Sequence, residues 1–259
     1  MVGETWLTVT TVINGVDSFA ARAEPHDSAE GFARALRAAG HVVDRLPSER
    51  VNADFPQDAG LLRNRHDVVV IGDVGSDSFL LHPGVYSARA PQRDRLQSLV
   101  DFVRSGGGLV MIGGYLSFSG YRGMAGYGRT ALADVLPVIM GTGDDRVERP
   151  AGVAAEPATP DHPVLAGVTG PWPPLLGYNR VQAAEGSELI VTIADEPLLV
   201  LGTAGRGRTA AFTSDCAPHW ATDEFLAWEH YGTLFANLVR WAGAGTTGSD
   251  RIRDQEGAA

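Results

Sequence analysis

The chain has 259 residues, 44% of them hydrophobic and 20% charged, a balance that suits one long globular domain with a full core. Its net charge is −10 and all 21 of its basic residues are arginine, so Schiff-base chemistry, a pyridoxal anchor and a P-loop lysine are excluded. An acidic chain with no basic stripe also argues against nucleic acid and anionic membrane as partners.

No run of about 18 apolar residues is present to span a bilayer. Met1 to Leu7 carries Glu4 and no basic segment, so it does not read as a secretory signal. A cytoplasmic location is expected. Cys216 is the single cysteine, which rules out an internal disulfide and any multi-cysteine metal cluster.

Trp6 to Ile13 is β-branched and apolar and predicts the first strand. Ser28 is placed to cap a helix running to Ala39, with Gly40 as its stop. His41 to Leu46 predicts a second strand. Asp67 to Ile71 is almost wholly apolar, as in a strand buried on both faces of a parallel sheet. Pro91 to Arg104 places Leu96, Leu99, Val100 and Val103 on one helical face, and Leu109 to Ile112 follows as a strand. Alternation of this kind predicts an α/β domain with helices on both sides of the sheet.

From Tyr115 to about Pro174 the chain is rich in glycine and proline, and loops with short strands are expected. Leu189–Ile193, Leu198–Gly202 and Thr209–Thr213 predict further strands, the last two joined by a hairpin turn at Ala204-Gly205-Arg206-Gly207. Phe225 to Trp241 predicts a closing amphipathic helix. Residues 1–245 are expected to form the domain, with 246–259 as a disordered tail.

Several segments carry a resemblance. They are Asp73–Pro83 (DVGSDSFLLHP), Gly106–Gly120 (GGGLVMIGGYLSFSG), Asp144–Pro150 (DDRVERP), Trp172–Arg180 (WPPLLGYNR), Phe212–Trp220 (FTSDCAPHW) and Asn237–Trp241 (NLVRW). Together they resemble the cytoplasmic glutamine amidotransferase-like family, related to the class I amidotransferase and ThuA-like folds. The resemblance implies a flavodoxin-like three-layer sandwich with a mostly parallel sheet. In such sheets ligands bind beyond the carboxyl ends of the strands, where Asp73, Gly113-Gly114-Tyr115 and Ser214-Asp215 fall.

An active class I amidotransferase holds its cysteine on a sharp strand-to-helix turn, beside backbone N–H groups that form an oxyanion hole. Here that turn reads Ile112-Gly113-Gly114-Tyr115-Leu116-Ser117. Tyr115 or its neighbour stands where the nucleophile belongs, while the glycines could still offer N–H groups to an anion. Ser117 is the nearest hydroxyl, outside any G-x-S-x-G elbow. His219 falls roughly where the resemblance places the family's histidine, but Ala221 replaces the glutamate two residues on. Cys216 reads as a small buried side chain.

The candidate catalytic groups are therefore His219, Asp215 and Tyr115, acting as acid–base groups at strand ends. Candidate substrate-binding residues are Asp73, His82, Gly113, Gly114, Ser117, Arg146, Tyr178, Asn179 and Trp220. Aromatic rings beside Asp, Asn and Arg suit a small polar molecule such as a sugar, whose faces are apolar and edges polar; filling the core is the alternative use of the same rings. Asp144-Asp145-Arg146 reads first as a loop clamp. His82 lacks the short fixed spacing of a metal motif, and neither a metal nor another cofactor is assigned. A non-catalytic metabolite-binding or assembly module on the same fold is the second reading, and self-association into a homo-oligomer stays open.

Overall fold

The computed structural model describes residues 1–245, so the expected tail lies outside the described residues. In chain order the strands and helices are β1 (Val2–Gly3), β2 (Thr5–Asn14), β3 (Asp17–Asp27), α1 (Glu30–Ala38), α2 (Val51–Asp54), α3 (Ala59–Arg65), β4 (Val68–Gly72), α4 (Asp77–Leu80), α5 (Pro83–Tyr86), α6 (Arg95–Arg104) and β5 (Gly108–Ile112). There follow β6 (Val138–Ile139), β7 (Arg146–Val153), β8 (Ala155–Pro157), β9 (Leu175–Asn179), β10 (Gln182–Ala183), β11 (Glu188–Ile193), β12 (Glu196–Ala204), β13 (Gly207–Phe212), α7 (Asp223–Leu226) and α8 (Tyr231–Gly243). Among the described residues no helix is long and apolar enough to cross a membrane.

Seven strands form the main sheet in the order β1-β4-β5-β13-β12-β11-β8. The pairings β1–β4, β4–β5 and β5–β13 are parallel, whereas β13–β12, β12–β11 and β11–β8 are antiparallel. The sheet is thus mixed rather than mostly parallel. Hairpin turns after β11 and β12 reverse the chain where a crossover helix would have kept it parallel.

Period-two alternation splits the central strands between two cores. Val70, Val110, Ile112 and Phe212 pack with Phe32 and Leu36 of α1 and with Leu234, Phe235 and Leu238 of α8. Val69, Ile71, Leu109 and Met111 pack on the other face with Leu62 of α3 and Leu96, Leu99 and Val103 of α6. At the end of β5, Gly113 comes so close to β13 that an added Cβ would lie 2.2 Å from the Thr213 carbonyl oxygen.

Two helix starts shift, since α1 has Ala29 rather than Ser28 at its N-cap with no side-chain cap and α6 begins at Arg95 behind Asp94 rather than at Pro91, and three further elements differ. Trp6–Ile13 is a strand, but it pairs only with β3 in a separate antiparallel ribbon; the sheet's edge is instead the two-residue β1. Glu4 adopts φ 59°, which ends that edge strand and turns the chain outward. The predicted strand His41–Leu46 keeps a single bridge, Leu46 to Val2, because β1 offers no longer edge to pair with. The closing helix is broken into α7 and α8, with Trp228 in the break packed on Trp172 at 5.1 Å between ring centroids.

Candidate functional site

Four strand ends meet at the carboxyl edge of the parallel half: β1 leads into Glu4, β4 into Asp73, β5 into Gly113–Ser117, and β13 into Ser214–Trp220. The turn after β5 is held almost entirely from within. Gly113 N–H donates to the Phe212 and Ser214 carbonyls at 2.7 and 2.9 Å. Gly114, at φ 146°, donates to Asn179 Oδ1 at 2.9 Å, and Asn179 Nδ2 donates back to the Gly114 carbonyl at 3.1 Å and to Asp145 Oδ1 at 2.8 Å. Leu116 N–H donates to Asp73 Oδ1, and Ser117 Oγ accepts the Asp73 N–H at 3.1 Å.

The turn is as sharp as the glycines suggested, yet the N–H groups of Gly113, Gly114 and Leu116 all have partners inside the protein. Only a donor outside these three could meet an oxyanion without displacing a protein partner. Asp145 completes this scaffold, accepting from the Ser119 and Gly120 N–H groups at 2.8 Å each.

Behind the turn lie three buried carboxyl groups, those of Glu4, Asp73 and Asp215. Burial, with Asp215 beside it, pushes Asp73 up to about 7, although the Leu116 N–H pulls the other way. Burial and the two neighbouring carboxylates push Glu4 well above the usual range. Asp215 is raised by burial against the opposing pull of His219. Burial disfavours the charged form of each, so all three are shifted towards the protonated form, with His219 and backbone N–H groups pulling Asp215 back. Glu4 Oε1 has no hydrogen-bond partner.

Glu4, Asp215 and Cys216 bring potential ligand atoms within 4.8 Å of one another. A divalent cation there would need the thiolate, and burial beside Glu4 and Asp215 drives the Cys216 thiol well up, which opposes it.

His219 connects this interior to the surface. Its Nδ1 is 3.4 Å from Asp215 Oδ2, and its side chain is 35% exposed while that of Asp215 is 2%. The ring meets Tyr115 edge-on at 4.3 Å and lies along Trp220 at 5.2 Å. Its φ of 150° is unusual for a side-chain-bearing residue and marks a backbone held by its surroundings.

Tyr115 and Tyr121 stack at 6.2 Å, and the Arg146 guanidinium is 4.4 Å from both ring centres. Arg146 also grips Asp144 through two bonds of 3.0 and 2.9 Å, the loop clamp anticipated from the sequence. Trp220 is tied down by its indole N–H, which donates to Glu148 at 3.1 Å.

Asp73, Asp215, His219, Tyr115, Trp220 and Arg146 are therefore brought together, with Gly113, Gly114, Ser117 and Asn179 as their frame. Three candidates are used differently: Trp220 is 1% exposed and packs behind Tyr115 and His219. His82 accepts the Gly84 N–H through Nδ1 at 2.8 Å and caps α5, while Tyr178 is a fully buried part of the core. On the α1 side, a cleft of about 730 Å³ runs along Ser28, Glu30, Arg34, Cys216, Pro218 and Tyr231.

Comparison with known proteins identifies the family. The family described as "Putative glutamine amidotransferase" matches residues 1–244. The chain belongs to that family. Two solved relatives are the cytoplasmic proteins STM3548 of Salmonella typhimurium and STM1381 of Salmonella typhimurium LT2. Each is 41% identical over 93% of this chain and 97% of its own, with TM-scores of 0.89 and 0.88. A thua-like protein from Parabacteroides merdae, 14% identical over 85% of each chain at a TM-score of 0.53, shares the fold. No curated protein matches the chain.

Glu4 was not selected as a candidate from the sequence, nor were Tyr121, Asp145 and Glu148, which support Tyr115, the turn and Trp220. The strand that positions Glu4 has two residues, and the more conspicuous Trp6–Ile13 drew attention away from it. The available signal was an acidic residue directly after Val2-Gly3, matching the Gly72-Asp73 strand end in kind.

Proposed function

We propose that this chain is a cytoplasmic acid–base enzyme for a small polar metabolite such as a sugar, built on a flavodoxin-like three-layer form of the family fold and lacking glutaminase chemistry. The observation that carries the reading is the pairing of a surface-facing His219 with a buried Asp215, backed by Asp73 at about 7. Asp215 accepts from the His219 Nδ1–H and fixes that tautomer, leaving Nε2 to take or give a proton at the substrate. Asp73 has the affinity to exchange a proton near neutral pH. Tyr115, half-buried beside His219, supplies an apolar ring for a sugar face, with the buried Trp220 packed behind the pair.

Glutaminase chemistry is disfavoured for two reasons. The chain's only thiol is 1% exposed, and burial, with Glu4 and Asp215 beside it, pushes it well up, while the Gly113, Gly114 and Leu116 N–H groups of the turn are already paired. Those same internal bonds favour the second reading, a binding module that no longer turns over.

The deciding experiment incubates purified protein with glutamine and, separately, with a panel of sugars and polyols, alongside Cys216→Ala and His219→Ala. No ammonia from glutamine is expected, with turnover of a hydroxylated compound that His219→Ala removes and Cys216→Ala keeps. Ammonia release lost in both variants would overturn the proposal. Ligand-induced thermal stabilisation without turnover would favour the binding module.

A further inference from the structure

Glu4 sits where the fold by itself asks for no acid. Its N–H donates to the Gly72 carbonyl at 3.1 Å, and its carbonyl accepts the Ser28 N–H at 2.9 Å. Neither bond needs a carboxyl group, and at φ 59° a glycine would serve the turn better. The side chain is nonetheless turned inward, and the residue is 1% exposed. Gly72 makes room for it, since a Cβ there would lie 2.5 Å from Glu4 Oε1.

That oxygen has no hydrogen-bond partner. A buried acid left without one weakens a fold, so packing does not account for it. What surrounds it is the acid–base pair. One carboxyl oxygen of Glu4, one of Asp215 and the Cys216 Sγ lie within 4.8 Å of one another. Asp215 in turn stands 3.4 Å from His219 Nδ1. Asp73 at the end of β4 and Tyr231 of α8 also feel its charge. Burial pushes Cys216 and Tyr231 well up, which leaves the carboxyl groups and His219 to exchange protons.

We infer that Glu4 is a positioning residue for the proposed reaction and acts on His219 through Asp215. Its carboxyl, by holding or releasing a proton, decides whether one negative charge or two stand behind the imidazole. A second charge makes the imidazolium easier to form, so Nε2 becomes the stronger base. Burial, with Asp215 and Asp73 beside it, raises Glu4 well above the usual carboxylate range, towards the pH at which a histidine works. The inference rests on His219 and Asp215 being the reacting pair and adds the group that sets its strength.

The size of the effect follows from the spacing. With 3.4 Å from imidazole to Asp215 and up to 4.8 Å from Asp215 to Glu4, His219 and Glu4 stand about 10 Å apart at most. A unit charge at roughly 10 Å, with an effective dielectric near ~20, moves a titration by about one pH unit.

The test follows the His219 ring by NMR in the full, histidine-labelled chain from about pH 5 to 9.5, with His219→Ala assigning its signals among those of the seven histidines. The wild-type ring should titrate in two steps, spread by about one pH unit. Glu4→Gln should remove one step, and should do so equally when Asp73→Asn is present in both proteins. Glu4→Gly, which suits φ 59°, should give the same result and decides the matter if Glu4→Gln fails to fold. Superimposable curves with and without the Glu4 carboxyl, or a difference that vanishes with Asp73→Asn, would overturn the inference. No substrate is needed, so the two readings fail separately. Turnover that depends on His219 beside an unaltered titration would remove Glu4 and keep the enzyme. An altered titration without turnover would keep the coupling and count against the enzyme.

Discussion

Replacing Asp73 by Asn tests whether the site holds protons that the unfolded chain would release. Asp73 ionises at an ordinary 3.8 when unfolded and at about 7 when folded. Below the lower value both states are protonated and the group leaves stability untouched. Between the two values the unfolded state has lost a proton that the folded state retains, so unfolding becomes easier as pH rises. Above about 7 the loss is complete. Three pKa units correspond to about 4 kcal/mol, the most by which Asp73 can weaken the fold at pH 8 relative to pH 4.

Asn has no proton to lose, and its Oδ1 can still accept from the Leu116 N–H. Urea unfolding of both proteins at half-unit intervals from pH 4 to 8.5 should show the stability of Asp73→Asn, relative to wild type, climbing towards that limit and then levelling. With urea slopes of about 1–3 kcal/mol/M, the midpoints should separate by up to ~1–4 M at pH 8. A difference between the two proteins that stays constant across pH would mean Asp73 ionises normally when folded, and the reasoning from its burial would fall.

Asn179→Ala removes three buried hydrogen bonds around the Gly114 turn; it should cost roughly 3–5 kcal/mol in chemical unfolding, because Gly114 N–H is left unpaired in the interior. Gly113→Ala must force the ends of β5 and β13 apart, since its Cβ would sit 2.2 Å from the Thr213 oxygen. It should lose more than about 4 kcal/mol or fail to fold, whereas Gly141→Ala, with nothing within 4 Å, should melt like wild type.

Much of the α/β framework was legible in the residues. The apolar runs at Asp67–Ile71 and Leu109–Ile112 identify strands buried on both faces, because period and hydrophobicity act locally. The same holds for the hairpin at Gly205 and for the strand ends that carry Asp73, Tyr115 and Asp215. The ribbon was legible as strand but not as arm, since β propensity does not say which edge a strand pairs with.

His41–Leu46 failed as a strand for the same reason: its neighbour is only two residues long. Tyr178 and Asn179 read as substrate-binding residues, and only packing shows one in the core and the other bonded to the Gly114 peptide. What the sequence by itself determined is the set of local elements, their glycine turns, and the presence of a single cysteine away from the expected elbow. The tertiary structure decided that Glu4, Asp73 and Asp215 are buried near one another, that Asp215 meets the surface through His219, and that the Gly113, Gly114 and Leu116 N–H groups are paired. Those properties depend on desolvation and on partners up to two hundred residues away in the chain, and no local pattern encodes them.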